Sequence, residues 1–113
     1  MRISIIIPIY NFTQELYQLT VDMLKSIKTT IVSKDDNLEI IIIDNGSTVG
    51  EVKDWPDIYI RNKINLGFCK AVNQGFKLAT GDLITVANND IRVSPNWFEV
   101  TKEIFNSNPK VGS

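Results

Sequence analysis

Apolar and polar positions fall in blocks along this chain, and the blocks change period as they go. Residues 3–7 (Ile3, Ser4, Ile5, Ile6, Ile7) are β-branched and almost continuously apolar, which suits a strand buried on both faces of a parallel sheet better than a surface strand with period-two alternation. Pro8 ends the ladder of that strand. After Asn11, a candidate N-cap with Gln14 three residues on, the apolar positions Leu16, Leu19, Met23, Leu24 and Ile27 recur at helical spacing. Ser33, Lys34, Asp35, Asp36 and Asn37 form a polar loop. Residues 38–43 then repeat the buried-strand composition and stop at Asp44-Asn45-Gly46-Ser47. Strand, helix, strand is a βαβ unit, and its right-handed crossover ends both strands on one edge of the sheet. Tyr10, Asn11 and Asp44 are thereby predicted to be neighbours.

Trp55-Pro56 marks a turn before a short third strand at Ile58, Tyr59 and Ile60. Phe68, Ala71, Val72, Phe76 and Ala79 follow helical spacing, with Gly67 opening the helix, Gly75 inside it and Gly81 as its C-terminal stop. Gly75 costs about 1 kcal/mol against alanine in a helix interior, so its presence implies close packing of the backbone. Residues 83–87 read as a further strand running into Asn88-Asn89-Asp90. A last helix is expected after Ser94-Pro95, the serine as cap and the proline at its first position. With no internal repeat or low-complexity tract, the alternation predicts one α/β domain over residues 1–113 with a mainly parallel sheet. Ligands of such sheets bind beyond the carboxyl ends of the strands.

Composition narrows the chemistry more than the fold. The chain has 113 residues, enough for one core and not for two. Twelve Lys and Arg against thirteen Asp and Glu leave a formal charge of −1, so no basic surplus points to nucleic acid or anionic lipid. The absence of histidine removes imidazole acid–base chemistry, Ser/His and Cys/His nucleophiles and His-ligated zinc. Cys69, the single cysteine, excludes an internal disulfide and fits a reducing compartment. The apolar start resembles a signal peptide, but Pro8, Tyr10 and Asn11 interrupt it and no small-residue cleavage site follows. A cytoplasmic protein is expected.

Three polar clusters follow predicted strand ends: Pro8-Ile9-Tyr10-Asn11, Asp44-Asn45-Gly46-Ser47 and Asn88-Asn89-Asp90. Asp44 could accept a hydrogen bond from a base or a ribose hydroxyl, although the same composition suits a turn-forming Asx. Asp90, a carboxylate flanked by amides at a strand end, is a hard oxygen ligand suited to Mg²⁺ or Mn²⁺ carrying a diphosphate; a turn aspartate is the plain alternative. Lys70 could reach a phosphate from the start of its helix, or simply be a solvated surface lysine. Cys69 is better read as packing than as a nucleophile, since no base accompanies it. Neither Gly-x-Gly-x-x-Gly nor a Gly-x-x-x-x-Gly-Lys-Ser/Thr phosphate loop is present.

Taken together, residues 4–11 (SIIIPIYN), 41–47 (IIIDNGS), 65–75 (NLGFCKAVNQG) and 79–90 (ATGDLITVANND) resemble a family 2 glycosyltransferase of the GT-A fold, similar to its rhamnosyltransferase-like branch. The resemblance implies a three-layer α/β/α domain, here truncated, with a nucleotide-diphospho-sugar site. It puts Pro8, Tyr10 and Asn11 beside base and ribose, and Asp44 on the base. Asn65, Lys70, Asn88 and Asn89 complete the nucleotide-binding set, and Asp90 is the metal-binding aspartate for Mg²⁺ or Mn²⁺. The family's Asp-x-Asp is here Asn88-Asn89-Asp90, so coordination falls mainly to Asp90. In this family the sugar passes to an acceptor hydroxyl, of a saccharide or another molecule, with inversion. The catalytic base ordinarily lies beyond the metal motif, so the expectation is an N-terminal, donor-binding segment without that base. Any membrane association would belong to portions outside it. An unpaired sheet edge would favour a homo-oligomer. The rival class is a non-catalytic nucleotide-binding or interaction module, which the retention of both Asp44 and Asp90 disfavours. A phosphoacceptor regulatory domain is disfavoured because Pro8-Ile9-Tyr10 stands where its acidic pair would be.

Overall fold

Strand β1 (Arg2–Ile9) is the spine of the molecule, because its side chains are apolar on both faces and it is paired on both edges. The structure, a computed structural model, describes residues 1–30, 32–88 and 95–107. β2 (Asn37–Asp44) runs parallel to one edge of β1 and β4 (Leu83–Val86) parallel to the other. β3 (Ile58–Arg61) adds parallel to β2, giving the order β3-β2-β1-β4. The sheet of described residues is thus wholly parallel. Helix α1 (Gln14–Lys28) and helix α3 (Trp97–Ser107) lie on one face and α2 (Phe68–Leu78) on the other, which makes the three expected layers. Ile5, Ile7, Ile40 and Ile42 meet Met23, Leu24 and Ile27 of α1, while Ile6, Ile41 and Ile43 meet Ala71 of α2. Ile3 and Leu83 pack with Phe98 of α3. Each fully buried isoleucine of this kind contributes about 1.5–3 kcal/mol, which is why continuous apolar runs specify the two central strands. Among the described residues no helix is long and apolar enough to cross a membrane.

Helix boundaries differ from the sequence expectation in three places, each with a local cause. Thr13, not Asn11, caps α1: its backbone is extended and its Oγ1 accepts from the Leu16 N–H at 3.1 Å. Asn11 is buried and its Oδ1 accepts from Thr20 Oγ1, so its side chain is spent inside the fold. Gly81 is not a left-handed helix stop; α2 ends on Ala79 in extended backbone. Glycine is required there because a Cβ would come within 2.6 Å of the Ser4 backbone nitrogen and Oγ. Pro95 precedes α3 in a turn, and Trp97 opens the helix; Ser94 lies outside the described residues. In α2 the expected apolar stripe is only half buried: Ala71, Val72 and Gly75 face the sheet, whereas Phe68 and Phe76 are exposed.

The end of the sheet opposite the strands' carboxyl termini is closed by a buried carboxylate that sequence pattern did not single out. Glu39 Oε1 accepts from Ser4 Oγ at 2.7 Å and from the Thr80 N–H at 2.9 Å. Its Oε2 accepts from the Arg2 guanidinium at 2.8 Å and from Thr80 Oγ1 at 3.1 Å. The Gly81 N–H in turn donates to Ser4 Oγ at 2.8 Å. β1, β2 and the lead-in to β4 are thus joined through one side chain. On the α3 side, Lys102 donates to buried Asp36 at 2.7 Å, and that ammonium, with the N-terminal one, holds the Asp36 carboxyl below the usual range.

Burial alone would raise the Glu39 carboxyl, but the Thr80 N–H, the Ser4 hydroxyl, the Arg2 guanidinium and the Thr80 hydroxyl outweigh it and bring it down from 4.5 to about 2. A depressed acid stabilises the fold above its unfolded pKa and loses that contribution as pH falls toward its folded one. Urea unfolding of wild type and Glu39→Gln should therefore differ most above about pH 5, with the gap narrowing by about 3 kcal/mol as pH falls toward about 2. A gap that stays constant with pH would show that Glu39 is not held ionised. For Gly75, helix propensity alone promises a gain of about 1 kcal/mol on change to alanine. The added Cβ, however, would lie 2.5 Å from Ile6 Cγ2 in the core. Overpacking costs about 1–3 kcal/mol, so Gly75→Ala should lower the thermal midpoint, as read by circular dichroism.

Candidate functional site

The register of β1 on β2 sets Ile9 opposite Asp44, and the pairing runs one residue further, since the Asn45 N–H donates to the Ile9 carbonyl at 2.8 Å. Beyond that point the chains turn apart and are tied to each other instead of to a ladder. The Asn11 N–H donates to Ser47 Oγ at 2.8 Å, and the Asn11 carbonyl accepts from the Thr48 and Val49 N–H groups. Asp44 Oδ1 accepts from the Ser47 N–H, three residues on, at 2.8 Å, which bends the chain directly after the strand. Its Oδ2 accepts from the Tyr59 hydroxyl at 2.6 Å and from the Arg61 guanidinium at 3.0 Å, while Arg61 also donates to the Ser47 carbonyl at 2.7 Å. Loops and strand ends therefore form one rigid rim.

A cleft of about 290 Å³ opens at this rim, lined by Pro8, Ile9, Tyr10, Asn45, Asn65, Phe68 and Asn88. It lies beyond the carboxyl ends of β1, β2 and β4, where an open parallel sheet takes its ligands. Tyr10 is 40% and Phe68 55% exposed, and with Pro8 and Ile9 they supply apolar wall. Three neutral amides supply the polar part. Asn65 Oδ1 accepts from the Gly67 N–H at 2.8 Å and shapes the turn into α2, where Gly67 takes φ +90°. Among the described residues no carboxylate is in the lining.

Of the residues the sequence singled out, Pro8, Tyr10, Asn65 and Asn88 come together in this cleft. Asn11 and Asp44 do not line it; both are buried and their polar atoms serve the rim. Asn45, the sequence neighbour of Asp44, stands in the cleft instead, because successive residues at a strand end point to opposite sides. Lys70 is exposed on the first turn of α2 and outside the lining, and Cys69 is exposed and free. Asn89 and Asp90 lie outside the described residues. Among the described residues no group of three or more His, Cys, Asp or Glu side chains is placed to hold a metal ion. Sequence reasoning missed Ile9, Asn45 and Phe68. The signal for Phe68 was its place at a helix start after a glycine, where an apolar side chain has nothing of its own helix to cover.

An open parallel sheet with an aromatic-walled cleft at its carboxyl edge defines an α/β protein whose ligand site lies at that edge, and similarity to known proteins makes the class definite. Residues 4–113 match the family described as Glycosyl transferase family 2, and the chain belongs to it. It is 33% identical over 108 residues to the putative colanic acid biosynthesis glycosyl transferase WcaA of Escherichia coli, covering 88% of this chain and 38% of that protein. It is 32% identical over 105 residues to the glycosyltransferase GlyG of Streptococcus pneumoniae, covering 86% of this chain and 33% of GlyG. The chain thus spans little more than a third of these relatives. Among solved structures, S. aureus TarS 1–349 in complex with UDP superposes with a TM-score of 0.79 at 18% identity, covering 96% of this chain and 33% of that one. The mannosyltransferase PcManGT of Pyrobaculum calidifontis, in complex with GDP-Man and Mn²⁺, gives 0.66 at 24% identity, covering 79% and 27%. The fold is the GT-A fold of these enzymes.

Burial and the adjacent Asp44 carboxylate raise the Tyr59 phenol to about 12. Of the three tyrosines, one should therefore stay protonated when the absorbance near 295 nm is titrated through about pH 10, the ordinary phenol range. That late-titrating phenol should be missing in Tyr59→Phe. Three phenols ionising together in the wild type would contradict the closed Asp44–Tyr59 pair.

Proposed function

We propose that this chain supplies the donor-nucleotide half of an inverting glycosyltransferase, seating a nucleotide-diphospho-sugar in the cleft at the carboxyl edge of the sheet. The observation that carries this reading is the lining itself: exposed Tyr10 and Phe68 with Pro8 and Ile9 beside the amides of Asn45, Asn65 and Asn88. A flat base gains about 1–3 kcal/mol by stacking on an aromatic ring, and neutral amides match hydroxyl and carbonyl groups without repelling phosphate. Pro8 and Tyr10 flank base and ribose in this reading, Asn65 and Asn88 meet ribose or phosphate, and Lys70 reaches the diphosphate from α2. Similar structures in complex with UDP, UDP-GlcNAc and GDP-Man support the ligand class.

A divalent cation, Mg²⁺ or Mn²⁺, belongs to the proposal through Asp90 and through the Mn²⁺ named with PcManGT. When bound it would neutralise charge on the departing diphosphate. In the whole enzyme, an acceptor hydroxyl oxygen would form the new bond to the anomeric carbon as the carbon–oxygen bond to the diphosphate breaks. The hydroxyl proton passes to a carboxylate base and the bonding electrons leave with the diphosphate. In this reading the chain's own part is to bind and orient the donor.

Calorimetric titration with UDP and dTDP, with and without Mn²⁺, tests the reading on wild type and Asp90→Ala. Metal-dependent binding, weakened about tenfold or more in Asp90→Ala, is the expected result. Tyr10→Ala should weaken binding by about 1–3 kcal/mol with or without metal. Absence of binding by the wild type at millimolar nucleotide would overturn the donor site.

A further inference from the structure

Asn45 lines the cleft, but the direction of its amide is set by groups that do not. Its Nδ2 donates to the Gly67 carbonyl at 3.3 Å. Its Oδ1 accepts from Asn62 Nδ2 at 2.9 Å and, at a long 3.5 Å, from the Leu66 N–H. Asn62 is held in turn by Gln74 of α2 in a reciprocal amide pair: Asn62 Nδ2 donates to Gln74 Oε1 at 2.8 Å and Gln74 Nε2 donates to Asn62 Oδ1 at 2.9 Å. Asn62 itself is fixed to the sheet by its N–H on the Asp44 carbonyl at 2.8 Å. Turning the Asn45 amide over would set oxygen against the Gly67 carbonyl and nitrogen against two donors. Turning Asn62 over would break both ends of the chain at once. The backbone of the 66–67 turn therefore imposes one polarity along the whole series, and Gln74 locks Asn62 into it by the reciprocal pair.

An amide oxygen accepts two hydrogen bonds and an amide nitrogen donates two. Both acceptor positions of Asn45 are engaged and one of its two N–H groups is used, so what remains for a ligand is a single N–H. We propose that Asn62 and Gln74 are positioning residues that make Asn45 a hydrogen-bond donor into the cleft, aimed at an acceptor oxygen of the bound nucleotide. The inference rests on the nucleotide reading above and adds to it which way the amide recognises and what holds it. It also separates Asn45 from a carboxylate at the same position, which could only accept.

A double-mutant cycle on UDP binding tests it. Gln74→Ala should weaken UDP about tenfold in the wild-type background and less than about twofold in Asn45→Ala, because the amide it orients is then gone. Gln74→Met, close in size and a good helix former, should repeat the result if the alanine variant is poorly folded. Asn45→Asp, nearly isosteric and acceptor-only, should bind UDP and uncharged uridine no better than Asn45→Ala. Equal losses for Gln74→Ala in both backgrounds would reduce Gln74 to a structural role and overturn the proposal. So would wild-type affinity in Gln74→Ala, or uridine binding retained in Asn45→Asp. A wild type that binds none of UDP, dTDP and GDP would instead overturn the nucleotide reading, and this inference with it.

Discussion

The parallel register of β1 on β2, with Ile9 opposite Asp44 and the Asn45 N–H on the Ile9 carbonyl, is the constraint on which the cleft depends. A slip by one residue would exchange the faces of every side chain on β2, taking Glu39 off Ser4 and turning Asn45 away from Tyr10. The register is held at its ends by polar contacts, Glu39 on Ser4 and Thr80 at one and the Asn45 N–H on the Ile9 carbonyl at the other. Helix α1 reinforces it through Met23, Leu24 and Ile27 on one face, and α2 through Ala71 on the other.

Charge is distributed differently at the two ends of this sheet, and the difference matches their tasks. At the amino edge the ionised Glu39 carboxylate is fully enclosed by Ser4, Thr80 and Arg2, an arrangement that joins three strands and leaves nothing to offer a ligand. At the carboxyl edge Asp44 is paired with Arg61 and capped by Tyr59 and Ser47. The described lining of the cleft is amides and apolar or aromatic side chains. A buried carboxylate without partners would be costly in either place. Pairing Asp44 with Arg61, Tyr59 and Ser47 ties the loops of the rim together.

Membership of glycosyl transferase family 2 was legible from four short motifs in order. Elements were legible too: all four described strands and all three helices fall within a few residues of where periodicity puts them. Periodicity was weakest where an apolar residue serves the cleft in place of the core, as at Phe68. It was also weak where capping residues compete, as between Asn11 and Thr13. Glu39 carried no signal at all, since a single acid in an apolar strand has no period and acquires its partners from residues 4 and 80 only on folding.

By itself, then, the sequence determined the alternation of strands and helices, the parallel sheet and the edge at which a ligand site should lie. These follow from hydrophobic period and chain connectivity, which are local properties. Tertiary structure alone decided which of two adjacent residues, Asp44 or Asn45, enters the cleft, and which way the Asn45 amide points. Those choices depend on the pleat at a strand end and on hydrogen bonds from Tyr59, Arg61, Asn62 and the 66–67 turn, groups brought together only when β2, β3 and α2 pack.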